Sequence, residues 1–315
     1  YVTVTSVTSD HWHYPEEKPN GVLEDNEDWG GLCAAGKRQS PVDLNYDAAI
    51  KGQYPGFIFQ GYDKPMSSPH IVNNGHSIQI STTPGPISVS GGGLPGTYIF
   101  DQMHFHWASE HLIDNGRYAL ELHLVHHEKR FDTITKAALE KNGVAVFGIL
   151  FHVSTTPNPV IEAVLQNAET VLEAVGNSHV YKEKLLLSEL LPKKLVNYFR
   201  YDGSLTTPSC GEAVVWTVFK QSIPISLDQV ERFKAVQADD GQKLTHNYRH
   251  IQPLNSRALV FVEGYVESGT SAKHISASML VLLVVFAVFF EVNVNQSISY
   301  FDQKYAKIKA QKSSM

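Results

Sequence analysis

The sequence predicts an α+β domain in which strands dominate. Several runs of aromatic and β-branched residues alternate with a period of two. One near-continuous apolar run has the length of a buried strand, and helical spacing is confined to short stretches. The 315 residues are 43% hydrophobic and 18% charged, a globular composition with material for a sizeable core. A formal net charge of −6, with no basic stripe in the main body, argues against nucleic acid as a partner.

Taken in order, residues 1 to about 60 read as loop-rich, with Gly, Pro, Asn and Asp scattered among short apolar patches. Asn73-Asn-Gly75 reads as a turn, and His76-Ser-Ile-Gln-Ile80 as the alternating run that follows it. Pro84 to Gly96 is Gly/Pro-rich and predicts turns or an exposed hairpin. The next stretch, Tyr98-Ile-Phe-Asp-Gln-Met-His-Phe-His-Trp107, is long enough for one strand. Strict alternation puts Phe100, Gln102, His104 and His106 on one face. Ile99, Met103, Phe105 and Trp107 take the other, with Asp101 the one polar exception. In Leu120-Glu-Leu-His-Leu-Val125 the leucines alternate with Glu121, His123 and Val125. Val144 to Phe151 predicts a buried strand, and Ala213–Phe219 and Ala258–Val266 two more. Apolar positions from Ile161 to Val175 form a helical stripe over 159–175, and Ser226-x-x-Gln229 is a capping box opening a helix through Phe233.

The chemistry lies on the paired strands. His104 and His106 form a chelating pair one pleat repeat apart, and pairing the Leu120–Val125 run alongside sets His123 beside them. Three neutral nitrogens with a fourth position open is the layout of a catalytic zinc, whereas structural zinc is closed by four protein ligands. Glu121 shares the face of His123 and can accept that ring's other N–H. A single His-x-His in a strand is more often surface or hydrogen-bonded core than ligand. A third histidine and a carboxylate on the correct faces reverse that balance.

These residues carry a resemblance. His104-Phe-His-Trp107, Ser109-Glu-His111 and Glu121-Leu-His-Leu-Val-His126 resemble the core motif of the α-class carbonic anhydrases. Gln39-Ser-Pro-Val42, Asn73-Asn-Gly-His76 and Ser204-Leu-Thr-Thr-Pro208 match further motifs in the family's order, over residues 11–266. The resemblance implies one α+β domain, 1–268, on a large twisted, mainly antiparallel sheet with short surface helices and zinc at the base of a cavity. It implies reversible hydration of carbon dioxide to bicarbonate and a proton by attack of zinc-bound hydroxide, with esterase activity as a side reaction. His104, His106 and His123 would hold Zn2+, oriented by Gln102, Glu121 and the Asn247 carbonyl. Thr206 would accept the hydroxide's hydrogen bond and donate its own to Glu110, and His76 would relay the proton. Val125, Val146, Leu205, Val214 and Trp216 would form the apolar wall for carbon dioxide, though each reads as core without the resemblance. Thr207 would help hold bicarbonate. Tyr14, Asn74 and Gln79 would line the rim, with packing an equal reading for Trp12 and Tyr14. Sulfonamide-type inhibitors are expected to bind. The ligand set alone leaves other divalent ions open.

Cys33 and Cys210 stand where secreted and membrane-bound members of the family have a disulfide, which implies an oxidising, extracytoplasmic compartment. The sequence departs from a common family form at Ala108, in place of glycine, in a shortened loop before Glu110, and at His127, where many members have Trp.

The C-terminal 47 residues read differently. Residues 269–274 are a linker, 275–292 an apolar segment at about the lower limit for a spanning helix, and 293–315 a polar tail bearing Lys304, Lys307, Lys309 and Lys312. A single-pass anchor is favoured over a GPI signal, because the chain continues past the apolar stretch. Use of the sequon at Asn295 would place the tail outside and overturn that topology. The numbering opens on Tyr1, compatible with a removed signal peptide that the sequence does not display. Three classes stay in view: an active zinc lyase, a catalytically dead binding domain, and a subunit of a membrane complex or a homodimer.

Overall fold

A computed structural model describes residues 12–15, 29–82, 85 and 87–264. Among them a 13-stranded sheet forms the body of the domain. From one edge its path runs through Ser178–Val180, His70–Asn73, Ile78–Ser81, Tyr98–His106 and Leu120–Glu128. It continues through Val144–Ser154, Val214–Phe219, Tyr198–Gly203 and Val260–Val262 to Ile50–Gly52. The pairings are antiparallel except where Val144–Ser154 meets Val214–Phe219 and Ile223–Ser226, and where Val260–Val262 meets Ile50–Gly52. The two histidine-bearing strands thus lie in the middle of the sheet, where both ladders are satisfied and neither strand can fray.

Each face of this sheet carries its own core. Met103, Phe105, Trp107, Leu120, Leu122 and Leu124 are buried on one side, with Ile161, Val164 and Leu165 of the Pro159–Ala168 helix packed against the same cluster. Val125, Val146, Val214 and Trp216 belong to the opposite cluster. Fully burying a side chain of this size contributes about 1.5–3 kcal/mol, so the alternation is strongly enforced.

Strict alternation fails at one point. The register shifts between Val125 and His126: Val125 opposes Gln102, but His126 opposes Phe100. Asp101 is the extra residue of a β-bulge, which inverts the faces preceding it. Phe100 therefore joins the core with Met103, not the face of His104, and Asp101 turns away from that core.

Four other expectations need adjustment. The 159–175 stripe is helical only over Pro159–Ala168. Asn158 caps its start, accepting from the N–H groups of Val160 and Ile161. The backbone then tightens, with Thr170 N–H on the Asn167 carbonyl and Val171 N–H on the Ala168 carbonyl, and beyond it Asn73 Nδ2 and the Gln237 N–H take the Leu172 carbonyl. Within the Gly/Pro-rich stretch the expected hairpin forms, Ser88–Gly91 pairing with the start of the His104 strand, but it also pairs with Phe57–Gln60, and Ser88 and Val89 are buried rather than exposed. The strand expected over Ala258–Val266 is Val260–Val262, with 265 and 266 outside the described residues, and that expected from Ala213 begins at Val214. The capping box forms as read: Ser226 Oγ accepts from Gln229 N–H, Gln229 Oε1 accepts from Ser226 N–H, and the helix spans Leu227–Phe233.

Cys33 and Cys210 are joined in a disulfide across a sequence separation of 177. Among the described residues no helix is long and apolar enough to cross a membrane. The linker, the apolar segment and the basic tail all lie outside the described residues.

Candidate metal centre

The ladder brings the three histidines together. His123 stands directly opposite His104, and Gln79 opposes His104 from the other side. The ring centroids of His104 and His106 are 5.0 Å apart, and those of His123 lie 5.1 and 4.5 Å from them. One nitrogen of each ring is committed outward. His104 Nδ1 donates to Gln102 Oε1 at 2.9 Å, His106 Nδ1 to the Asn247 carbonyl at 2.6 Å, and His123 Nε2 to Glu121 Oε1 at 2.9 Å. All three partners accept, so each committed nitrogen carries the proton and the opposite one keeps its lone pair.

The donor atoms of the three rings lie within 4.8 Å of one another. His106 Nε2 is buried and makes no hydrogen bond. A buried lone pair is unfavourable unless an electrophile fills it. Three converging imidazoles, one orphaned in this way, fit a three-coordinate protein site for zinc. His106 and His123 are buried, whereas His104 is partly exposed and leaves the centre open on one side. Burial, reinforced by the neighbouring imidazoles, holds His104 well below its ordinary pKa, and burial also lowers His106. Neutral rings are the form that ligates.

Glu121 connects this centre to a buried chain. Its Oε1 also takes His111 Nδ1–H at 2.7 Å, and its Oε2 takes the His111 backbone N–H at 2.8 Å. His111 Nε2 meets Tyr201 Oη at 2.6 Å, and Tyr201 donates to Ser40 Oγ at 2.9 Å. Burial raises the Glu121 pKa, but His111 and His123 outweigh it and hold the carboxyl well below its usual range. Both His111 nitrogens are occupied, so His111 with Glu121 and His123 makes a support rather than a second metal cluster. Gly148, opposite His123 on the far strand, leaves room for this carboxylate: a Cβ there would lie 2.8 Å from Glu121 Oε1.

Glu110 is fully buried. Its Oε1 accepts the Arg249 N–H at 3.1 Å; its Oε2 makes no hydrogen bond and lies 3.5 Å from His106 Nε2. No hydrogen bond joins it to Thr206 among the described residues. Thr206 is buried on a loop pinned by Cys210 N–H to the Thr207 carbonyl and by Leu205 N–H to the Gly211 carbonyl. Leu205 packs partly buried against the cluster of Val125, Val146, Val214 and Trp216. Thr207 is partly exposed beside it.

His76 follows the predicted turn, in which Asn74 Oδ1 accepts from the N–H groups of His76 and Ser77. Asn74 Nδ2 reaches Gln79 Oε1 at 3.4 Å. The His76 ring stacks on Trp12 with centroids 3.8 Å apart, and Tyr14 meets both edge-on. The Tyr14 ring packs, and burial and the charge of Glu110 raise its hydroxyl's pKa well above the ordinary value. One cavity is lined by Trp12, Tyr14, Trp29, His76 and His246; none of the three imidazoles of the centre faces it.

Sequence reading misses His111, Tyr201, Ser40 and Arg249 as supports. Their contacts span 10 to 216 positions, and no periodicity marks them. Gly148 hides inside an apolar run.

A buried three-histidine centre with an open side, set on a large mixed sheet, defines the zinc lyases built on this fold. The family model for eukaryotic-type carbonic anhydrases matches residues 24–263, and the chain belongs to that family. It is 34% identical to a putative carbonic anhydrase 3 of Caenorhabditis elegans, over 80% of this chain and 98% of that protein. It is 34% identical to carbonic anhydrase 4 of Rattus norvegicus, over 80% and 84%. Carbonic anhydrase 6 of Bos taurus is 30% identical over 99% and 98%. Members of the family are zinc-dependent and catalyse the reversible hydration of carbon dioxide.

Proposed function

We propose that this chain hydrates carbon dioxide with zinc held by His104 Nε2, His106 Nε2 and His123 Nδ1. The observation that carries the reading is the pairing of each ring's outer nitrogen with an acceptor, which leaves three inner nitrogens converging. Bound there, zinc acts as a Lewis acid and lowers the pKa of a water in the open position to about 7, the established value for zinc-bound water in carbonic anhydrases.

The chain's own residues supply the rest. Glu110 holds a free buried oxygen toward the centre, and in this reading takes the Thr206 hydroxyl proton as its hydrogen bond. Thr206 Oγ1 is then left as an acceptor only, which fixes how the attacking oxygen is oriented. Carbon dioxide is uncharged, and the apolar wall of Val125, Val146, Leu205, Val214 and Trp216 receives it without a cationic clamp. Thr207 is placed to hold the bicarbonate product. His76 is partly exposed and carries an imidazole, the side chain suited to proton exchange near neutral pH. It passes the released proton outward past Tyr14, Asn74 and Gln79. The complete ligand set favours an active lyase over a binding domain that has lost its metal.

The same reading places the domain on an extracytoplasmic side, supported by the disulfide, with 275–292 as its anchor and 293–315 as the tail. Stopped-flow hydration of carbon dioxide is the test. Activity that disappears on zinc chelation, returns with zinc and is blocked by a sulfonamide supports the reading; a zinc-loaded, folded protein with no rate above buffer overturns it.

A further inference from the structure

The His123 strand continues past the centre on the same face. Beyond Val125 the next residue there is His127, opposite Ile99. The bulge in the facing strand turns Asp101 to this side, and His127 Nδ1 lies 2.7 Å from Asp101 Oδ2. The side chains are mostly covered yet reach solvent, at 8% and 15% exposure. Their neighbours on this face, Gln102, Val125 and the Val144 that opposes His127, carry no charge. Burial raises the Asp101 pKa, and the His127 ring opposes that rise. Packing alone would be served better by an apolar pair, since a carboxylate is costly to desolvate.

The dyad also shares the sheet face of the centre. At about 3.3 Å per residue, Asp101 sits roughly 10 Å from His104 along its strand, and His127 roughly 13 Å from His123. His76 lies toward the other end of the His104 strand, because it precedes Gln79, which opposes His104 in an antiparallel ladder.

We propose that the Asp101–His127 dyad is a second proton-relay station, serving the reaction from the end of the His104 strand away from His76. The proposal rests on the carbon dioxide hydration reading above. The proton released on hydration passes through water to His127 Nε2, so that one N–H forms as one water O–H breaks. Asp101 stabilises the resulting imidazolium through Nδ1–H. The ring then loses the Nε2 proton to buffer and returns to its starting state; dehydration of bicarbonate runs the same transfers backward.

The test measures hydration by the zinc-loaded full chain at low and high buffer, for wild type, His76→Ala, His127→Ala and the double variant. With two stations, His76→Ala lowers kcat at low buffer by only about threefold, and the double variant lowers it by about 30-fold or more. The additional loss is recovered by added imidazole. If adding His127→Ala to His76→Ala leaves kcat at low buffer unchanged, the dyad is no relay. An inactive wild type would instead sink the hydration reading, and the relay with it. Nitrogen-15 NMR of the metal-free protein supplies an independent reading: the neutral His127 ring must carry its proton on Nδ1, facing Asp101, and leave Nε2 as the acceptor. A proton found on Nε2 instead overturns the proposal even if the enzyme is active, and Asp101→Asn should shift the tautomer away from Nδ1–H.

Discussion

Replacing Gly148 by alanine would place a methyl group 2.8 Å from Glu121 Oε1, a carboxylate held by His111 and His123 on its other sides. We expect Gly148→Ala to weaken zinc binding about 10–100-fold, the range seen when groups supporting metal-bound histidines are disturbed. Competition with a chromophoric chelator measures this, and unchanged affinity would show that Glu121 can move without loss. A second residue governs acid stability. His126 is buried in the core, meets Tyr62 Oη at 2.6 Å, and is pushed down to about 4 by burial. Its unfolded form takes a proton near 6.5, so between those values the unfolded state binds more protons and stability falls as pH falls. The window amounts to about 3 kcal/mol. Urea unfolding from pH 7 to pH 4 should show a shallower slope in His126→Phe, whatever that variant's stability at neutral pH. The ligands themselves were legible because period-two alternation and one cross-strand pairing suffice to gather them. Their acceptors were less so: Asn247 lies 141 residues from His106, and only the resemblance pointed to it.

At the scale of the element, the bulge at Asp101 is the feature that alternation does not foresee. A bulge adds one residue without altering composition, so the sequence shows only an aspartate out of phase. Phe100→Ala tests the inverted face. In the core, beside Met103, the truncation should lower stability by about 3–5 kcal/mol; on the face of His104 it would cost far less. Chemical denaturation decides between these. The helices were legible where local hydrogen bonding sets them, as at Ser226, whose replacement by alanine should cost about 1 kcal/mol. The end of the helix at Ala168 was not legible, since the apolar stripe runs on to Val175 while Gln237 and Asn73, distant in sequence, hold the backbone past the helix.

Across the whole domain, the disulfide closes a covalent loop over most of the described chain. In the chain-entropy treatment, cross-linking positions separated by 177 contributes roughly 5 kcal/mol. Reduction, or paired replacement of Cys33 and Cys210 by serine, should therefore move the denaturant midpoint strongly downward; an unmoved midpoint would mean that strain cancels the entropic gain. The loss should extend to the Thr206 loop, since Gln39 Nε2 donates to the Cys210 carbonyl and Arg249 Nη1 donates to Gln39 Oε1. The alternating runs agreed with a large sheet that the family resemblance implied, but its strand order was not legible, because pairings between distant strands leave no local mark.

Asn247 carries a consequence for how the molecule is made. It accepts from His106 Nδ1 through its carbonyl and from Trp107 N–H through Oδ1, and its Nδ2 donates to the carbonyls of His76 and Phe105. Two residues later Arg249 supplies the N–H that holds Glu110. During synthesis all three imidazoles leave the ribosome more than a hundred residues before the segment that orients His106 and anchors Glu110. A nascent chain that has reached His123 owns every donor atom of the centre but not its finished geometry, so capture of the ion in its final arrangement belongs to the completed domain.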